Sequence, residues 1–207
     1  MENKDLRNVG YVEDTVDSIL MEKIKKTVNE IKENLDRQKS FAGNLVGNIR
    51  KQFVFDHYRD ELEQLAIQLA QHHDDIYDCS NYLDDSFGKL TLGACWINLQ
   101  VAGEFNPIHK HPGVYSFVIW VDLPFTHENE KIHGPGFSSN GNKSGCFEFV
   151  YTNVYGQLMS HQIPADNSYE GKIILFPAKL NHTVYPFFTS DGYRISISGN
   201  LFRSIDD

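Results

Sequence analysis

From about Leu90 onward the sequence is written in period two, and this confines the chain to a β fold before any other feature is weighed. Trp96-Ile-Asn-Leu-Gln-Val101 alternates, with Ile97, Leu99 and Val101 on one face and Trp96, Asn98 and Gln100 on the other. Val114-Tyr-Ser-Phe-Val-Ile-Trp-Val121 is almost continuously apolar and rich in β-branched and aromatic residues, as a strand covered on both faces should be. Cys146–Tyr151, Gly156–Gln162, Lys172–Phe176, Thr183–Phe187 and Tyr193–Leu201 follow, separated by Gly, Pro, Asn and Asp. Short strands at this spacing predict a mainly β domain, a jelly roll. Residues 126–145 have no period and are expected to form a structureless loop, mobile without substrate and suited to be a lid.

The first part of the chain reads differently. Val12, Val16, Ile19, Leu20, Ile24, Val28, Ile31 and Leu35 recur at helical spacing, with Lys and Glu opposite them. A second helix is expected from Asp56 as N-cap, through Leu62, Leu65, Ile67 and Leu69, to about His73. Residues 41–49 between them read as loop plus a short strand. The expected organisation is one domain over 1–207, in which a helical part (1–89) buttresses a jelly-roll core (90–207).

Charge and cysteines narrow the function. Nineteen basic against 28 acidic residues give −9, which argues against a duplex nucleic acid or an anionic membrane as partner. Residues 56–85 hold one basic and nine acidic groups, the pattern of a solvated helix face. No apolar run approaches the length of a spanning helix, and Met1–Gly10 is polar, so neither a membrane span nor a secretory signal is expected. Cys79, Cys95 and Cys146 form no CxxC pair and leave an odd thiol, which predicts reduced cysteines in a cytoplasmic protein.

Of nine histidines, six read as ordinary. His72 and His73 are adjacent on a helix and point apart; His57 and His161 stand alone; His127 and His133 belong to the long loop. His109-Lys-His111 is different, because residues two apart on a strand face the same way. Together with His182, at the start of another strand, the pair can offer three facial nitrogen ligands and leave positions open for substrate and dioxygen. Further on, Arg194, Ser196, Ser198 and Asn200 share one face of a strand. That face either meets solvent or lines the cavity, where Arg194 would offer a two-point clamp to a carboxylate.

The order His-x-His, Gly171-x-x-x-x-Phe-Pro-x-x-x-x-His182, then Arg194-x-Ser196 resembles the iron(II)- and 2-oxoglutarate-dependent oxygenases of the prolyl-hydroxylase-like type, above all a group of short oxygenases of bacteria and marine tailed phages. The likeness covers about residues 90–203, and Leu45-Val-Gly-Asn-Ile49 also fits the group. The resemblance implies a double-stranded β-helix with iron at its mouth, and a location in the host cytoplasm if the protein is phage-encoded. It maps His109 and His182 onto the iron-binding histidines, Arg194 onto the residue holding the distal carboxylate of 2-oxoglutarate, and Ser196 onto its hydrogen-bonding neighbour, with Asn98 touching the same acid. It implies a dioxygenase that hydroxylates a substrate while 2-oxoglutarate is decarboxylated to succinate.

One position departs from the wider pattern. His111 stands where a carboxylate is usual, which leaves the metal site one unit more positive. Either His111 is the third ligand, its second nitrogen fixed by a carbonyl or carboxylate, or the turn at Pro112-Gly113 swings it out and water takes its place. Two other readings fit the residues: a cupin-like three-histidine metalloenzyme that does not use 2-oxoglutarate, and a non-catalytic jelly-roll binding module.

Overall fold

The computed structural model describes residues 10–80 and 88–204. Among the described residues ten strands are β1 (Val12–Thr15), β2 (Gln52–Val54), β3 (Leu90–Gln100), β4 (Asn106–His109), β5 (Tyr115–Asp122), β6 (Phe147–Thr152), β7 (Leu158–Ile163), β8 (Lys172–Pro177), β9 (His182–Val184) and β10 (Arg194–Arg203). The α-helices lying wholly within the described residues are α1 (Ser18–Glu33), α2 (Arg59–Tyr77) and α3 (His127–His133). The strands pair antiparallel in two sheets, β1-β8-β5-β10-β3-β2 and β4-β9-β6-β7. Strands distant in sequence lie side by side, giving the jelly roll that the periodicity predicts, in the double-stranded β-helix form that the resemblance implies.

β5 shows why its sequence is nearly all apolar. Tyr115, Phe117, Ile119 and Val121 enter the core shared with the helices, while Trp120 and Val118 enter a second cluster between the sheets. Leu20, Ile24, Val28 and Ile31 of α1 and Leu62, Ala66 and Leu69 of α2 cover the outer face of the larger sheet, burying Ile97, Leu99, Ile195 and Ile197.

The helix boundaries differ from the expectation for local reasons. The Asp17 carboxylate accepts from Ile19 N and Leu20 N, so α1 starts at Ser18. Val12 falls in β1 instead, opposite Leu175. Asp56 does not cap α2; it faces Arg59 at 3.5 Å, and Tyr58, at φ 55°, precedes the helix. β1 and β2 extend both edges of the larger sheet, so the part expected to be helical also supplies strands.

Residues 126–145 are not structureless throughout. Thr126 caps α3 through Asn129 N, and the fully buried Glu130 carboxylate accepts from Phe188 N, Thr189 N and the Thr189 hydroxyl. An apolar stripe is missing because a buried carboxylate does the anchoring. Asp56, Asp60, Glu61, Asp75 and Asp78 of the acidic stretch are exposed; its residues 81–85, like residues 1–9 of the polar start, lie outside the described residues. Among the described residues no helix is long and apolar enough to cross a membrane. Cys79, Cys95 and Cys146 are free and buried.

Candidate active site

β4 and β9 pair so that His109 stands directly opposite His182. Their ring centres are 4.3 Å apart, and His111 lies 5.0 Å from each. One ring nitrogen from each comes within 4.8 Å of the others. His109 Nδ1 is 2.7 Å from the Pro107 carbonyl and His182 Nδ1 is 3.0 Å from the Leu180 carbonyl. A carbonyl only accepts, so both Nδ1 atoms carry hydrogen and both Nε2 atoms keep a free lone pair, which is what a metal needs.

His111 follows the end of β4, yet it turns inward. Its backbone N–H donates to Ala178 O at 2.8 Å, and its ring packs against Trp96, 5.5 Å between centres. Pro112-Gly113 therefore turns the chain after His111 has been placed, and does not swing it out. The expected carbonyl or carboxylate on its second nitrogen is not found among the described residues; the ring is held by packing. Burial holds all three imidazoles below the usual range: His109 lowered, His182 well below, and His111 at about 4, with His109 beside it as a second cause. Neutral imidazole is the ligating form.

The opposite wall comes from β3 and β10. Arg194 is 3% exposed, donates from Nη1 to Gly145 O at 3.0 Å and lies over the Phe125 ring. Among the described residues no carboxylate pairs with it. Burial lowers it to about 10, so it remains a cation. A buried guanidinium that faces a cavity without an acidic partner favours the entry of an anion. Ser196, Ser198, Asn98 and Gln100 line the same cavity, and Asn98 Nδ2 donates to Ser196 Oγ at 3.1 Å. Asn200, expected on this face, instead accepts from the Ser116 hydroxyl after an irregularity in β10. Leu45, Val46 and Ile49 form a third wall. Gly47, at φ 152°, lets that loop lie on β4, since a Cβ there would sit 1.9 Å from Asn106 Oδ1.

Residues 94–200 match the sequence profile of the family described as "Putative 2OG-Fe(II) oxygenase". The chain belongs to the 2OG-Fe(II) oxygenases. Iron(II) and 2-oxoglutarate are thus its cofactors, and the site fits both: three neutral nitrogen donors on one side, a buried cation without a counter-ion on the other. Membership sets aside both the cupin-like metalloenzyme that does not use 2-oxoglutarate and the non-catalytic module.

Solved structures repeat the architecture of this oxygenase. A prolyl-4-hydroxylase from Pseudomonas putida is similar at TM-score 0.59 and 13% identity, over 94% of this chain and 93% of that one. AviO1 from Streptomyces viridochromogenes is similar at 0.55 and 16%, over 97% and 93%. The non-heme alpha ketoglutarate dependent epimerase SnoN from nogalamycin biosynthesis is similar at 0.57 and 13%, over 94% and 76%. At these identities the likeness is one of fold. No curated protein gives a match.

The six residues assigned from the sequence to metal or co-substrate, His109, His111, His182, Arg194, Ser196 and Asn98, all line the same cavity. The other histidines stay away from it: His73 is buried against Gly10 O and Tyr115, and His161 meets the Tyr11 hydroxyl. No residue of 126–145 lines the cavity either, so the lid expected there has no place in its wall. Trp120 and Val118 also line the cavity, yet β5 reads as pure core; Ser116 marks the face they share. Gln52, behind Asn98, carried no signal beyond one polar residue before Phe53 and Phe55.

Proposed function

We propose that His109, His111 and His182 hold iron(II), and that Arg194, with Ser196 and Asn98, receives the distal carboxylate of 2-oxoglutarate. The observation carrying this reading is the pairing, within one cavity, of three converging neutral imidazoles with a buried guanidinium that has no acidic partner. When bound, the two cofactors supply the oxidising chemistry: dioxygen is consumed, 2-oxoglutarate is decarboxylated to succinate and a substrate C–H bond is hydroxylated.

The chain's own groups have separate tasks. The Pro107 and Leu180 carbonyls fix the tautomers of His109 and His182, so no proton has to leave before the metal enters. Arg194 supplies charge and direction to the co-substrate. Phe147 and Phe176 around His182, with Trp96 beside His111, keep the metal end of the cavity apolar. Val46 lines the cavity while more than half exposed, which supports an entrance on the 45–49 side. The core that α1 and α2 share with β3, β5 and β10 supports reading 1–207 as one domain. The three unpaired thiols favour a cytoplasmic location.

Anaerobic loading with iron(II), followed by measured succinate release, tests the reading. The parent should bind one iron and form succinate from 2-oxoglutarate. Iron bound at full stoichiometry by a variant lacking both His109 and His182 would sink it.

A further inference from the structure

The cavity face of the larger sheet carries a row of side chains that starts beyond the cavity. Gln52 stands opposite Asn98, and Asn98 stands opposite Ser196. Gln52 is 2% exposed, lies on the edge strand β2 and does not line the cavity. It also lies outside residues 94–200, which the family profile covers. Its Nε2 donates to Asn98 Oδ1 at 2.9 Å, and Asn98 Nδ2 donates to Ser196 Oγ at 3.1 Å.

The row has a direction. An asparagine amide can present either end, and the two orientations are nearly equal in shape. Here Gln52 is turned with Nε2 toward Asn98 Oδ1, and the Nδ2 end of Asn98 faces Ser196. Ser196 Oγ then accepts, and its own hydrogen is free to donate elsewhere. With Asn98 reversed, the Ser196 hydroxyl would be drawn to Oδ1 and lost to the cavity. Ser196 stands two residues from Arg194 on the same face, so its freed hydrogen adds a donor beside the guanidinium.

We infer that Gln52 is a positioning residue for 2-oxoglutarate: acting through Asn98, it keeps the Ser196 hydroxyl a donor toward the co-substrate carboxylate. This rests on the assignment of Arg194, Ser196 and Asn98 to 2-oxoglutarate given above. The N-terminal part of the chain thereby tunes a cofactor pocket otherwise built from the oxygenase core. β2 is fixed for this task on both sides, by Leu99 N to Lys51 O and by Phe41 N to Gln52 O.

Two near-isosteric variants separate direction from packing. Gln52→Glu offers only acceptors, so it forces Asn98 to reverse; Gln52→Met leaves Asn98 free to take either orientation. Titration of 2-oxoglutarate into the iron(II)-loaded protein without oxygen, by calorimetry, reads both. Q52E should weaken binding about 10-fold or more, the loss of one charge-assisted hydrogen bond. Q52M should weaken it only about twofold, since half the molecules remain competent. Iron stoichiometry should hold in both, and in turnover KM for 2-oxoglutarate should rise while kcat changes little. In an S196A background Q52E should add less than about threefold, because the donor it withdraws is already gone.

Equal losses in Q52E and Q52M would mean that Gln52 only fills space, and the inference falls. A full Q52E penalty in the S196A background would assign the effect to charge and overturn it likewise. Arg194→Ala is run beside them: if it abolishes 2-oxoglutarate binding while both Gln52 variants match the parent, the inference alone is wrong. If Arg194→Ala binds like the parent, the assignment of the pocket fails and the inference with it.

Discussion

The two sheets face one cavity but are built on different terms. The six-stranded sheet is backed by α1 and α2, and its inner face presents Asn98, Arg194 and Ser196 on long strands buried behind. The four-stranded sheet presents His109 and His182 from strands of four and three residues, and five of the six residues of β7 at its edge are exposed. The proposed anion end is therefore positioned by layering. The metal end is positioned locally, by carbonyls two residues upstream of each histidine and by aromatic packing around His182. His111 belongs to neither sheet, but its link to Ala178 O ties it to the end of β8 in the larger one. Losses at the two ends should consequently be separable.

The largest effect is expected at the metal end. His109→Ala or His182→Ala should weaken iron binding by more than about 100-fold, beyond what loss of a mere supporting partner does. Anaerobic equilibrium dialysis measures it. His182→Ala should also lower stability by about 2–4 kcal/mol, since its ring fills space among Phe147, Phe149 and Phe176. His111→Ala should match His109→Ala in lost iron; full iron occupancy with unchanged succinate formation would remove it from the ligand set.

At the anion end, Arg194→Ala should leave iron in place and weaken 2-oxoglutarate binding by about 100-fold, the equivalent of roughly 3 kcal/mol from a charge-assisted pair. Because the guanidinium is buried without a counter-ion, Arg194→Met should leave the cofactor-free protein at least as stable as the parent. A clear drop in its unfolding midpoint, with no ligand present, would show that Arg194 holds the sheet together and is not held ready for an anion.

The same contrast explains what could be read in the sequence. β3, β5 and β10 were legible because a strand with one or both faces buried writes its surroundings into its alternation; Asn98, Arg194 and Ser196 sit where that alternation puts them. His109-x-His111 was legible for the same reason, although β4 stops at His109 and a packing contact with Trp96, not strand geometry, completes the placement of His111. Features held by individual polar side chains were not. Glu130, Gln52 and the Asp17 cap each depend on a partner far along the chain or on local cap bonds, which no period reports. Val12 fits a helical stripe and a short edge strand equally well, and pairing with β8 decides between them.

A smaller effect concerns the segment that joins the walls. Glu130→Gln replaces an acceptor of two backbone N–H groups and a hydroxyl by an amide with one oxygen. It should destabilise by about 1–3 kcal/mol. Amide exchange should quicken across α3 and at Phe188 and Thr189, while iron binding at β4 and β9 holds. In the parent, α3 should exchange more slowly than residues 136–143, and uniform exchange over 126–145 would contradict an anchor at Glu130.

The smallest effect tests the backing of the larger sheet. His73 of α2 is fully buried, donates from Nε2 to Gly10 O and lies beside Tyr115 of β5, whose hydroxyl donates to Asp74. Burial lowers its pKa from 6.5; the Gly10 carbonyl and the Asp74 charge oppose this without reversing it, and His72 adds to the lowering. The unfolded chain thus takes up a proton at a pH where the folded one does not. His73 therefore contributes stability that is complete above about pH 6.5 and is lost as pH falls through its lower folded value, at no more than about 1.4 kcal/mol per pH unit. His73→Gln keeps a donor for Gly10 O and cannot titrate. Its denaturant midpoint should therefore fall less than the parent's between pH 7.5 and 5.5, while the cavity histidines, present in both proteins, cancel in the comparison. Parallel curves would mean that the helical layer does not feel this proton.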